Sequence, residues 1–152
     1  MPSALFIDAN LIVLLVVGLV GRDLIAKHRR TRTFAVEDYD RLSRAISRVG
    51  KVRVTPNTLT EASNLLAQHG EPQRSRLLLT LRALIEQSPE TVVASVDAAR
   101  HHVFPRLGLT DAGLLTVVSA DAPLLTVDLD LYVAALASGD EAAINFNHWR
   151  GW

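Results

Sequence analysis

The chain has 152 residues, 49% of them apolar, and its sixteen acidic residues balance sixteen basic ones. That is the length and apolar content of one domain with a buried core, and a net charge of zero names no class of partner. The absence of cysteine excludes disulfides, thiolate catalysis and cysteine-based zinc sites and fits a reducing cytoplasm.

A short apolar run, Ala4 to Ile7, ends in Asp8, and a longer one follows from Leu11. The first reads as a buried strand and the second as a helix buried on all sides, with Asn10 as its N-cap. Gly18 and Gly21 weaken that helix or let a neighbour approach closely. A membrane span is the rival reading. However, Asp8 and Asn10 interrupt the run, and Leu11 to Val20 is only ten residues, where a span needs about 20. No basic stretch precedes the run, as a secretory signal would require. The expectation is a cytoplasmic protein with no membrane contact.

Helical character resumes from Asp23 to His28 and gives way to a basic loop, Lys27 to Phe34. A second helix opens at Val36-Glu37-Asp38, with acids where the macrodipole favours them, and ends at Gly50. Tyr39, Leu42, Ile46 and Val49 keep its apolar spacing, and Arg41, Arg44 and Arg48 share another face. Lys51 to Thr55 is strand two, with Val52 and Val54 inward. Pro56 suits the start of a helix capped by Asn57 or Thr58 and running to about His69. Leu59, Ala62, Leu65 and Leu66 face the core there, while Glu61, Asn64 and Gln68 share a different face. Gln73 to Gln87 forms another helix, stopped by Pro89.

Thr91 to Ala94 is strand three, and Asp97 caps a short helix through Val103. Pro105 to Gly108 is a turn. Thr110 or Asp111 caps an apolar helix over 112–118. Leu124 to Val127 is strand four, Asp128 ends it, and a helix covers Leu129 to Ala137. Ala142 to Phe146 is a fifth, edge strand. The tail tryptophans, Trp149 and Trp152, pack on the domain or on a second copy. Strands alternating with helices call for an α/β fold, three layers with a mostly parallel sheet of four to five strands, in one domain over 1–152.

Charge is unevenly spread. Arg22 to Arg53 holds ten bases against four acids, a longer basic helical segment at about 22–50. It is either a phosphate-binding face or a solvated one. As a nucleic-acid face it would offer Arg22, Lys27, Arg29, Arg30 and Arg32 along a backbone, with Arg41, Arg44 and Arg48 as a ridge.

Four carboxylates stand near strand ends or helix starts: Asp8, Glu61, Asp111 and Asp128. Parallel connections bring such ends to one edge of the sheet. Each acid singly has an ordinary structural reading, as an N-cap, an exposed helix residue or a turn. Asp8, between two buried elements, is the hardest to explain that way, because a buried carboxylate needs a partner. Converging, the four would repel one another, and a hard divalent cation with oxygen ligands relieves that. Mg²⁺ or Mn²⁺ held in this way serves phosphoryl chemistry. The histidines read as surface residues: His101 and His102 are adjacent, and His28 and His69 stand alone. No G-x-S-x-G elbow, P-loop or G-x-G-x-x-G is present. DAN after strand one lacks the second acid of a haloacid-type phosphatase, and no lysine follows Lys51 to serve a receiver domain.

The stretches FIDANLIV, TPNTLTEASNLL, LGLTDAGLL and LLTVDLDLY resemble, in that order, those of the PIN-domain nucleases. The resemblance spans nearly the whole chain and rests on the ordered set, since each motif alone is weak. It implies a three-layer α/β/α fold and an acidic site of Asp8, Glu61, Asp111 and Asp128 holding Mg²⁺ or Mn²⁺. Asn10 and Thr126 match the polar positions beside the first and last acids. The activity implied is metal-dependent hydrolysis of RNA as an endoribonuclease. VapC-type toxins, held silent by a protein antitoxin, are the best-known members, and a homodimer is common. The segment from Gly18 to Val49 is longer and more basic than in the short toxins. Asp130 is a second candidate for the fourth acid. The alternative is a catalytically inactive PIN-like module that binds nucleic acid or protein.

Overall fold

In a computed structural model, residues 2–151 are described; Trp152 lies outside them. The sheet has four strands, all parallel: β1 (Leu5–Ile7), β2 (Val52–Arg53), β3 (Leu124–Thr126) and β4 (Ala143–Asn145), in the order β2-β1-β3-β4. The helices are α1 (Ala9–Val20), α2 (Val36–Val49), α3 (Pro56–Leu66), α4 (Gln73–Gln87), α5 (Ser95–Ala99), α6 (Phe104–Val117), α7 (Leu129–Leu136) and α8 (Phe146–Trp149).

The pleat of β1 sorts the core into two layers. Leu5 and Ile7 point to one face and pack with α1, α2, α3 and α4. Phe6 points to the other and packs with Leu124 and with residues of α5, α6 and α7. The result is a three-layer α/β/α domain. The α1 helix is the hub of the first layer, in contact with α2, α3 and α4. Its Leu11, Ile12, Leu14, Val16 and Val17 have no exposed surface, so it is apolar on every side because it is covered on every side. No helix of the described residues is long and apolar enough to cross a membrane.

Several local expectations need correction. Asn10 does not cap α1; Asp8 does, its carboxylate accepting from the Leu11 N–H at 2.9 Å. Thr55, not Asn57 or Thr58, caps α3, which ends at Leu66 rather than His69. Residues 91–94 make no strand among the described residues. Their segment meets the sheet only at the parallel bridge between Glu90 and Val54. Asp97 lies within α5, which begins at Ser95. Residues 105–108 are not a separate turn but part of the kinked α6. After α1 a single 3-10 turn, Arg22–Leu24, replaces the expected resumption of the helix.

His28 is not a surface residue. It is fully buried, stacks on His69 with ring centroids 5.1 Å apart, donates from Nε2 to the Leu66 carbonyl and accepts the Arg30 N–H at Nδ1. Burial holds its pKa below the ordinary imidazole value. His101 and His102 also stack, at 4.7 Å.

Gly18 is where α1 admits α2. A Cβ placed there would lie 2.2 Å from the Tyr39 ring, and Tyr39 is itself buried in the first core layer. Replacing Gly18 with Ala overpacks this contact and should lower unfolding free energy by about 1–3 kcal/mol, read as the urea midpoint. Combined with Tyr39→Ala, the loss should be smaller than the sum of the two single losses, because each change relieves the other.

Candidate active site

Strand order locates the crevice. From β1 the chain crosses to β2 on one side, and from β3 it crosses to β4 on the other. The carboxyl ends of β1 and β3 therefore flank the point where the connections diverge, which is where open parallel sheets bind ligands. Asp8 follows β1 and Asp128 stands two residues after β3.

One side chain links the two ends. Thr126, with no exposed surface, donates its hydroxyl to Asp8 Oδ2 and accepts the Asp128 N–H at 2.9 Å. Asp8 Oδ2 also accepts the Val127 N–H at 3.1 Å. With Leu11 on Oδ1, three donors face this buried carboxylate, so its orientation is fixed on both oxygens. Burial still raises its pKa above the usual carboxylate value, against those hydrogen bonds. Asp128 caps α7 by accepting the Leu131 N–H at 3.1 Å.

Glu61 arrives from α3 and Asp111 from α6, two helices that pack on each other. Gly108 sets the second of these. Its φ of 86° and ψ of −177° break α6 into two segments, a backbone state that costs a non-glycine residue about 1–3 kcal/mol. The second segment starts just beyond, so Asp111 lies in its first turn. Neither Asp111 nor Glu61 is engaged in a hydrogen bond or ion pair among the described residues, so neither serves as a cap or a surface pair.

All four acids line one cavity of about 60 Å³, with Ala9, Asn10, Thr110 and Leu131. The Asp111 pKa is pushed up to about 7, by burial first and then by Asp128, Glu61 and Asp8. Asn10, exposed on the first turn of α1, lies at the cavity edge. Thr126 sits behind the cavity wall as the link just described. Asn64 is exposed on α3 and Asp130 on α7, and neither lines the cavity. Thr110 does line it, although its sequence signal, a polar residue at a helix start, pointed only to a cap.

The basic residues do not form one face. Arg22 pairs with Asp40 and Lys27 with Asp23 at 3.7 Å, while Arg29 and Arg32 are exposed. Arg30 donates to Gln68 at 2.7 Å and lines a concavity that shares Asn10 with the acidic one. Arg41 pairs with buried Asp38 and joins Arg44, Arg48 and Trp149 in a separate groove.

The donor set is all hard oxygen, as Mg²⁺ and Mn²⁺ prefer, and the mutual repulsion at Asp111 is what a cation would relieve. Among the described residues, no three His, Asp or Glu side chains are grouped closely enough to hold a metal as they stand. Asp8 and Asp128 have oxygens committed to backbone donors, which leaves Asp111 and Glu61 as the acids with all lone pairs available. No family model, curated protein or solved structure matches the chain.

In chelator, the Asp111 proton is bound more tightly in the folded state than in the unfolded one. Its stabilisation is therefore full below about pH 4 and is lost as pH rises through about 7. The parent should lose on the order of 1 kcal/mol over that range, since Asp111 is partly open to solvent screening. Asp111→Asn should remove this component, measured as urea midpoints from about pH 5 to about pH 8. His28 acts in the opposite sense and Asp8, whose pKa is also raised, in the same sense; both are common to the two proteins.

Proposed function

We propose that the protein is a nuclease that hydrolyses RNA phosphodiester bonds at the cavity of Asp8, Glu61, Asp111 and Asp128, with Mg²⁺ or Mn²⁺ as cofactor. The observation that carries this reading is Asp111, a carboxylate with no structural partner, lifted to about 7 by burial and by three other acids on one cavity. Structural acids acquire caps or cationic partners, and perturbed acids without either mark functional sites. The likeness of the four sequence stretches to PIN-domain nucleases supports the same reading.

Asp111 and Asp128 would hold the cation, with Asp8 contributing through its least committed oxygen, Oδ1. Bound there, a divalent cation would supply Lewis-acid polarisation of the phosphodiester and compensation for charge on the leaving oxygen. The chain's own part is placement. Thr126 keeps the ends of β1 and β3 in register and turns Asp8 and Asp128 toward one space. Glu61, on a separate helix and free of hydrogen bonds, is placed to orient the attacking water and take its proton. Asn10 offers an amide at the cavity edge to a phosphate oxygen.

The test starts with Mn²⁺ alone, followed by electron paramagnetic resonance on the parent and on Asp128→Asn. Asparagine is as good an N-cap as aspartate, so α7 survives the change. The parent should bind Mn²⁺, and the variant about tenfold or more weakly. With Mn²⁺ and a mixed RNA pool, Asp111→Asn should cleave at least about a hundredfold more slowly than the parent. A parent that neither binds Mn²⁺, with or without RNA, nor cleaves any RNA would remove the nuclease reading in favour of an inactive binding module.

A further inference from the structure

The acidic cavity is the first of four neighbouring hollows. Through Asn10 it joins a concavity of about 330 Å³ that holds Arg30, Asn147 and Arg150. Through Thr33 and Arg150 that concavity joins another, of about 380 Å³, beside Asp38 and Arg41. Through Arg41 this joins a groove of about 320 Å³ between α2 and α8, lined by Arg44, Arg48 and Trp149. Consecutive hollows share a wall residue, which makes them neighbours on the surface.

The two ends of this row differ in chemistry. In the middle, buried Asp38 forms ion pairs with Arg41 and Arg150 at 3.2 Å each, and Arg150 lies over the Phe34 ring at 4.8 Å. The far groove has no carboxylate in its lining. Arg44 and Arg48, four residues apart on one face of α2, are exposed and form no hydrogen-bonded ion pair among the described residues. Beside them stands Trp149, 39% exposed. Its indole meets the buried Phe146 ring edge-on, with centroids 5.7 Å apart and planes at 68°. That contact anchors the tryptophan and leaves surface open beside two guanidinium groups. A fixed aromatic next to a pair of arginines holds a base by stacking and its phosphates by charge.

From this geometry we propose that a single nucleic-acid strand lies along a path over these hollows, with a base stacked on Trp149, its phosphates at Arg44 and Arg48, and a phosphodiester in the acidic cavity. The cavity end rests on the function proposed above; the Trp149 end stands on its own geometry. A stacked base must be unpaired, which selects a single strand over a duplex. An acidic polypeptide would satisfy the arginines but not the indole.

The experiment is fluorescence anisotropy of labelled oligouridine of about four and about twelve nucleotides, in chelator so that nothing is cleaved. The proteins are the parent, Trp149→Ala, and Arg44→Gln with Arg48→Gln, the last confined to the exposed face of α2. The parent should hold the long strand more tightly than the short one. Each variant should weaken the long strand about tenfold. The double arginine variant should also lower the salt slope by about 1.4, two single-strand phosphate contacts. Tighter binding of RNA than of DNA of like sequence would identify RNA as the strand; equal binding would assign the path to single strands of either sugar.

The path is overturned if length brings no gain, if the variants bind the long strand like the parent, if a duplex binds as well, or if polyglutamate displaces the strand charge for charge. Cleavage with Mn²⁺ is scored separately. Length-dependent binding without any cleavage keeps the path and removes the nuclease reading. Cleavage that is indifferent to Trp149 and the two arginines does the reverse.

Discussion

Asp8 brings a carboxylate into an interior that is apolar on almost every side, and the fold is arranged to make that tolerable. Three donors meet it, from the first turn of α1, from the Thr126 hydroxyl and from the backbone just beyond β3. Desolvating a carboxylate without such partners would cost several kcal/mol, roughly the scale of a whole domain's stability. Because the donors come from two strand-to-helix joints, satisfying Asp8 also fixes how β1 and β3 end relative to each other. The diverging crossovers, the cap of α7 through Asp128 and the mouth of the acidic cavity all follow from that registration. The same contacts divide the four acids by role. Asp8 and Asp128 are partly spent on the backbone, while Glu61 and Asp111 face the cavity unengaged.

What the sequence made legible was what depends on pattern. Alternation of apolar runs and turn signals was enough for the parallel sheet, for the helices over 36–49 and 73–87, and for the convergence of four acids on one edge. Errors fell where local chemistry has more than one solution. Asn10 is a good cap by type, but the cap is two residues earlier, because Asp8 can serve the helix and the sheet at once. Thr55 is the same case beside Asn57 and Thr58. Thr91 to Ala94 has strand composition, yet its chain meets β2 only at the Glu90 bridge and then turns into α5, and no local property reports such a departure. Gly108 looked like part of a turn; its positive φ instead kinks one helix and so sets the position of Asp111.

Two side chains escaped a one-dimensional reading altogether. A lone histidine in a basic stretch has no sequence mark of burial, and His28 is buried only because His69, from beyond α3, stacks on it while Leu66 takes its proton donor. The arginines of residues 22–48 form a single run in sequence but not in space. Asp38 draws Arg41 together with Arg150 from the far end of the chain, Asp40 occupies Arg22, and Arg30 lines a different hollow from Arg44 and Arg48. Net local charge is a poor guide where intervening acids draw some of the bases into ion pairs.

The size of the acidic cavity has a consequence of its own. A volume of about 60 Å³ is room for a few water-sized groups, far less than a nucleobase occupies. On the function proposed here, the chamber that performs hydrolysis is blind to the letters of the message and meets only the linkage common to all of them. Any preference among transcripts has to be exercised upstream, on surfaces whose side chains take no part in bond breaking. The chemistry and the choice of target would then be free to drift apart, one held fixed by Thr126 and its clasp, the other open to change at the outer wall.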